Sequence, residues 1–361
     1  MHHKRFFLLI FYVLLPTDMK IIIDDKIPYM QSALSGTAVE AVYLRGSDIS
    51  AADVRDADAL IVRTRTRCDA RLLAGSTVKF IATATIGYDH LDTHYLEQAG
   101  IAWTNCPGCN ASSVAQYVRS VLLLLSAEHG LSLPGAVLGV VGCGHVGSLV
   151  RRVGAELGMR VLVCDPLVAA PDFVGMPEIE QQADVITFHV PLTDTGRYAT
   201  RHMADEAFFS RLWRKPFVIN SSRGGVIDEK ALHHALDSGK VSQAIIDTWE
   251  NEPLIDLTLL NKVYIGTPHI AGYSADGKAN ATRMALEALA SHFHLGEVPS
   301  ITPPPPAETV LYSTSLSDAL LQIYDPARDC RALREHPENF EQLRGDYPLR
   351  REQQAYTIEI V

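Results

Sequence analysis

The apolar run Val137 to Val141 ends directly on Gly142-Cys143-Gly144-His145-Val146-Gly147, and an amphipathic stretch, Val146 to Leu157, follows at once. A strand, a glycine-rich turn and a helix in that order leave few folds open. The G-x-G-x-x-G pattern alone carries little weight, but in this setting it has a mechanism. The first glycine permits a tight turn, the second lets backbone approach a diphosphate, and the third lets helix pack on strand. The helix N-terminus then turns free N–H groups toward the phosphates. Gly142, Gly144, His145, Val146 and Gly147 are therefore expected to hold a dinucleotide.

The same alternation runs through most of the chain. Short apolar runs at Ile21–Ile23, Ala59–Val62 and Phe80–Ala84 form a first series. Val137–Val141, Arg160–Cys164, Val185–Phe188, Phe217–Asn220, Ala244–Ile246 and Val263–Ile265 form a second. Strands alternating with helices predict parallel sheets covered on both faces. With 361 residues there is room for two or three domains. The expected fold class is α/β: two doubly wound Rossmann-like domains and a small C-terminal α+β domain. Ala111 to Glu128 lacks Gly and Pro and reads as a long buried helix passing between the two larger domains. Ala279 to His294 reads as a helix returning to the first. The expected boundaries are 19–110 with 271–300, then 111–270, then 301–361.

Four consecutive prolines, Pro303 to Pro306, mark an extended linker. The tail beyond is rich in charge. Its end, Tyr356-Thr357-Ile358-Glu359-Ile360-Val361, alternates like a strand and needs a partner for its edge.

Composition narrows the class of function. Apolar residues make up 47% and charged residues 20%, the profile of a soluble globular chain. A net charge of −10 argues against nucleic acid, which needs Lys and Arg to neutralise phosphates. A small anion can still sit in a local basic pocket. The six cysteines are scattered, so a reducing cytoplasm is expected rather than a disulfide framework. Cys106-Pro107-Gly108-Cys109 has no second pair at zinc spacing, so no metal is expected. His2, His3, Lys4 and Arg5 precede the apolar run Phe6 to Leu15, in the manner of a signal peptide. That run is shorter than the ~20 residues needed to span a bilayer, and no small-residue cleavage site follows. Residues 1–18 are read as an N-terminal extension, and no membrane partner is expected.

Asp165 follows the next strand, 18 residues beyond Gly147. A carboxylate there can accept both ribose hydroxyls of NAD and would repel the 2′-phosphate of NADP. The next arginine is Arg197, too far along to serve that phosphate from this loop. NAD is the expected cofactor.

Three stretches after predicted strands carry reactive side chains: Asn220-Ser221-Ser222-Arg223-Gly224-Gly225, Asp247-Thr248-Trp249-Glu250-Asn251-Glu252-Pro253, and Thr267-Pro268-His269-Ile270-Ala271-Gly272-Tyr273. Ligands of open α/β sheets bind outside such strand ends. Oxidising a secondary alcohol moves a hydride to a nicotinamide and a proton to a base. His269 suits the base, since imidazole titrates near neutral pH. Glu252 can hold that imidazole and stabilise the imidazolium. Arg223 can grip a substrate carboxylate through two parallel hydrogen bonds. Each residue alone has a bland reading as a loop or surface residue; together, at successive strand ends, they form a candidate catalytic set.

These motifs resemble the D-2-hydroxyacid dehydrogenase family, with its Arg in N-x-x-R-G, Glu in E-P and His in P-H-I. Four further stretches, Thr83 to His90, Pro107 to Ala111, Cys164 to Pro166 and Ile265 to Tyr273, are similar to a branch whose substrate is a phosphorylated four-carbon acid. In the tail, Tyr324-Asp325 and Arg350-Arg351-Glu352 match the same branch. The resemblance implies NAD-linked oxidation of that acid, in the making of pyridoxal phosphate. It implies substrate contacts at Thr64 (where the branch has Ser), Thr85, Arg223 and Tyr273. It implies NAD contacts at Asp165, Val190, Asp247 and Gly272. It also implies a homodimer built on residues 301–361, a tail expected to be shorter than the branch's dimerisation domain. Two rival readings are a relative acting on phosphoglycerate or glyoxylate, and a non-catalytic NAD sensor.

Arg63, Arg65 and Arg67 alternate around Thr64 and Thr66. If the segment stays extended they share a side, which could receive the substrate phosphate; a solvated sheet end is the equal alternative.

Overall fold

The structure is a computed structural model that describes residues 19–35, 37 and 39–361, so the N-terminal extension lies outside the described residues. The chain divides into two compact units. One runs through Cys109 and adds Lys278–Pro303; the other comprises Asn110–Gly277 and Pro304–Val361.

The first unit holds β1 (Lys20–Asp24), β2 (Glu40–Leu44), β3 (Ala59–Val62), β4 (Phe80–Thr83) and β5 (Ala102–Thr104). They form a parallel sheet in the order β2-β1-β3-β4-β5. This is the flavodoxin-like doubly wound order. The central strands read as unbroken apolar runs because both faces are covered. Ile21, Ile23, Ala59 and Ile61 pack with Ala285, Leu286 and Leu289 of the helix Ala275–His292. Ile22, Leu60, Val62 and Ile81 face the other way, toward Leu72, Leu73 and Leu96.

The second unit holds β6 (Val137–Val141), β7 (Arg160–Cys164), β8 (Val185–Phe188), β9 (Phe217–Asn220), β10 (Gln243–Ile246) and β11 (Ile265–Gly266). All six are parallel, in the order β11-β10-β9-β8-β6-β7. The strand order reverses beside β6, which makes the end of β6 the switch point where such sheets bind ligands. Two doubly wound sheets are thus present, as the alternation predicts.

The helix Ala111–His129 packs on the core of this unit. Tyr117, Val118, Val121 and Leu122 lie against Leu138 and Val140. The tail adds β12 (Val310–Ser313) and β13 (Thr357–Ile360), paired parallel to each other. The terminal strand thereby gains its edge partner. The tail is anchored by burial: Leu320 and Tyr324 join the core around Tyr117, while Leu333 and Phe340 join the core around Leu260. Side chains buried to this degree stabilise by roughly 1.5–3 kcal/mol each.

Candidate functional site

The glycine-rich turn is built as its sequence requires. Gly142 has φ +88°, and a Cβ there would lie 2.6 Å from the carbonyl oxygen of His189. A Cβ on Gly147 would lie 1.9 Å from the Gly142 carbonyl oxygen, so the helix His145–Glu156 can pack this closely only with glycine. Gly144, the residue preceding that helix, faces open space, and His145 beside it is exposed. Val190 follows β8 on the other side of the turn, its Cγ1 2.8 Å from where a Gly142 Cβ would stand. Asp165 follows β7 and accepts a hydrogen bond from Cys143 N at 2.8 Å. The turn, the open helix start and the carboxylate beside them fit the diphosphate and ribose of a dinucleotide.

The three reactive loops follow β9, β10 and β11 and are tied to one another. At the end of β9, Asn220 Oδ1 accepts from Ser222 N and Oγ, and Asn220 Nδ2 donates to the Arg223 carbonyl at 3.0 Å. These bonds curl the loop that carries Arg223, which is half-buried and donates from Nη1 to the Ser222 carbonyl at 2.7 Å. A Cβ on Gly224 would be 1.9 Å from the Trp249 carbonyl, so glycine lets the first loop touch the second. Trp249 Nε1 then donates to the Thr267 carbonyl at 2.9 Å, joining the second loop to the third.

Glu252 and His269 meet within this frame. His269 Nδ1 lies 2.8 Å from Glu252 Oε2, and Glu252 Oε1 accepts from Trp249 N at 2.9 Å. An ionised carboxylate only accepts, so Nδ1 carries the hydrogen and Nε2 is the nitrogen able to take a proton. His269 has φ +56°, a left-handed conformation costing about 1–3 kcal/mol in a non-glycine residue. Asp247 offsets that cost. Its Oδ1 accepts from Ile270 N at 2.8 Å and Thr267 Oγ1 at 2.6 Å, and its Oδ2 accepts from Ala271 N at 3.0 Å. Asp247 is 1% exposed, so both oxygens serve the turn that presents His269.

Charge is arranged to keep Glu252 ionised. Burial works against its charge, but the bonds from His269 and Trp249 N and the Arg344 charge outweigh it, leaving the carboxyl below its ordinary range. Glu229 has the opposite fate. Burial, reinforced by Glu250, Asp256 and Glu252, raises it to about 7, although it accepts a bond from Glu250 N. Burial also raises Asp247.

Further residues complete the support. Gly272 is needed because Asn110 Nδ2 would lie 2.1 Å from a Cβ there. The tail's Arg350 donates from Nη2 to the Ala271 carbonyl at 2.6 Å and from Nη1 to the Ile270 carbonyl at 3.3 Å. Glu352 accepts from Ser113 Oγ and Ser274 Oγ. Tyr273, next after Gly272, packs edge-on against Tyr347 with centroids 6.1 Å apart. Ser274 Oγ also accepts from Gly277 N at 2.8 Å.

In the first unit, Thr64 and Thr85 stand just beyond β3 and β4. Thr85 Oγ1 donates to the Gly87 carbonyl at 2.8 Å and lies 2.6 Å from Thr83 Oγ1. The arginine segment does not stay extended: Thr66 N bonds back to the Arg63 carbonyl at 3.1 Å, making a turn. Arg63 reaches the Lys26 carbonyl and Arg67 pairs with Asp69, so the extended segment on which a shared face depends is absent.

Among the described residues, all six cysteines are free, and no cluster of three or more His, Cys, Asp or Glu could hold a metal. No helix there is long and apolar enough to cross a membrane.

Comparison with known proteins agrees with this geometry. Residues 113–271 match the NAD-binding domain of the D-isomer specific 2-hydroxyacid dehydrogenases, and residues 306–361 match a domain of unknown function. An erythronate-4-phosphate dehydrogenase of Bacteroides fragilis is 54% identical over 346 residues, covering 95% of this chain and 99% of that one. One from Porphyromonas gingivalis is 43% identical over 353 residues, covering 94% and 95%. Among solved structures, D-lactate dehydrogenase from Aquifex aeolicus, complexed with NAD and lactic acid, is 26% identical with a TM-score of 0.61, covering 76% of this chain and 95% of that one. D-2-hydroxyisocaproate dehydrogenase is 25% identical with a TM-score of 0.63, covering 76% and 96%.

Proposed function

The chain belongs to the erythronate-4-phosphate dehydrogenases, a branch of the D-isomer-specific 2-hydroxyacid dehydrogenase family, and from that premise we infer that it oxidises 4-phospho-D-erythronate to 2-oxo-3-hydroxy-4-phosphobutanoate. The reaction serves pyridoxine and pyridoxal 5′-phosphate biosynthesis. NAD is the cofactor and, when bound, accepts the hydride from C2. The observation that carries the mechanism is the His269–Glu252 pair at 2.8 Å, held in a turn tied to the Arg223 loop.

Each residue then has one task in this reading. Arg223 grips the substrate carboxylate and fixes C2. His269 Nε2 takes the proton of the 2-hydroxyl as the carbonyl forms, and returns it in the reverse direction. Glu252 stays ionised, keeps the ring oriented and stabilises the imidazolium. Thr64, Thr85 and Tyr273 contact the remaining hydroxyls and the far end. Gly142, Gly144, His145, Val146 and Gly147 hold the diphosphate, Asp165 accepts the ribose hydroxyls, and Val190, Asp247 and Gly272 complete the NAD site.

The same reading assigns residues 111–270 to NAD, residues 19–110 with 271–300 to substrate, and residues 301–361 to a homodimer contact. It places the enzyme in the cytoplasm, consistent with six free thiols. Purified protein should form NADH with 4-phospho-D-erythronate at a kcat/KM far above that for 3-phospho-D-glycerate or glycolate. A preference for either of those acids would favour another member of the family, and no NADH with any of them would favour a sensor.

A further inference from the structure

The tail contains several arginines, and most are already spent. Arg334 donates to the Leu260 and Val263 carbonyls, Arg350 to the Ile270 and Ala271 carbonyls, and Arg351 to Asp276. Arg344, in the helix Phe340–Gly345, differs. It is half-buried, its Nε is shielded from water without a hydrogen-bond partner, and its charge reaches Glu252 without an ion pair among the described residues. Its guanidinium carbon stands 5.6 Å from the Tyr273 ring centroid, a cation–π arrangement that aims it. Its charge helps hold Glu252 ionised, yet no carboxylate among the described residues bonds to the fork, and a guanidinium fork matches phosphate oxygens.

The substrate supplies an anion for the fork. Its carboxylate is taken by Arg223, but its phosphate adds about −1.5 to −2 at neutral pH. The Arg63–Arg67 segment, which could have served as a single basic face, is turned, and two of its arginines are engaged. Tyr273 follows the turn that holds His269, and the Arg344 charge acts on Glu252, so this cation lies near the catalytic pair. We propose that Arg344, stacked on Tyr273, is a specificity-determining residue that receives the substrate's phosphate. The proposal rests on the reading that the substrate is a phosphorylated hydroxyacid. It gives the tail a part in substrate choice.

The test compares wild type, Arg344→Gln and Arg344→Lys on 4-phospho-D-erythronate and on D-erythronate without phosphate. The readout is the ratio of the two kcat/KM values, alongside inhibition of D-erythronate turnover by inorganic phosphate. Arg344→Gln should lower the ratio about 10–100-fold, mainly through KM, and weaken phosphate inhibition in step. Arg344→Lys should restore part of both. A ratio unchanged in Arg344→Gln while wild type prefers the phosphorylated acid overturns this proposal and leaves the function standing. A wild type that prefers D-erythronate overturns the functional reading instead, and this proposal with it. If Arg344→Gln does not fold, the ratio in Arg344→Lys decides: a value equal to wild type with unaltered phosphate inhibition counts against the proposal.

Discussion

His269→Asn should lower kcat by about 10²–10⁴-fold, the usual contribution of a positioned proton-transfer group, while NAD affinity stays near wild type. Asparagine is the informative replacement. It is among the few residues that tolerate the left-handed backbone found at position 269, where φ is +56°. The turn can therefore survive, still held by Asp247 through Ile270 N and Ala271 N. What disappears is the nitrogen that takes the hydroxyl proton. Steady-state kinetics with an independent NAD titration would separate the two. Full turnover in this variant would remove His269 from the mechanism.

Arg350→Met should cost about 3–5 kcal/mol of stability, the range for removing one partner from a buried charged network. The guanidinium lies 4.1 Å from the Tyr324 ring centroid and bonds to the Ile270 and Ala271 carbonyls. Its charge also opposes the burial that raises Asp329, a carboxylate bonded by Tyr324 and Tyr347 hydroxyls. Methionine fills the volume but leaves those acceptors unanswered. The expected fall in Tm is roughly 10 °C for a unit of this size. Because the freed carbonyls belong to the segment following His269, kcat/KM should fall on the order of 100-fold even where the protein remains folded. Thermal unfolding and kinetics below the transition would measure both. A stability loss with unchanged kinetics would show that the tail braces the fold and not the site.

The contrast between these two positions indicates what a sequence can disclose. His269 was legible because its partners, Glu252 and Arg223, sit in local motifs at successive strand ends. Strands β6 to β9 were legible to the residue because each is a short apolar run that both faces of a parallel sheet demand. β11 was misplaced by two residues because Val263 caps the helix Leu257–Lys262, bonding back to Leu259, before the strand begins. The long helix from Ala111 was recognised from its unbroken apolar stretch, which packs on Leu138 and Val140. The contacts of Arg344 with Tyr273 and of Arg350 with the Ala271 carbonyl were not legible, since each reaches groups about 70–80 positions earlier and no local period encodes that contact. The arginine comb at 63–67 was a pattern without structure, undone by one backbone bond from Thr66 to Arg63.

The defining step is transfer of a hydride from C2 of a phosphorylated D-2-hydroxyacid to NAD. It is tested most directly with 4-phospho-D-erythronate carrying deuterium at C2, by mass analysis of the reduced cofactor. One deuterium per NADH formed is the expected result, with formation dependent on His269. NADH without the label, or none formed from this acid, would contradict it.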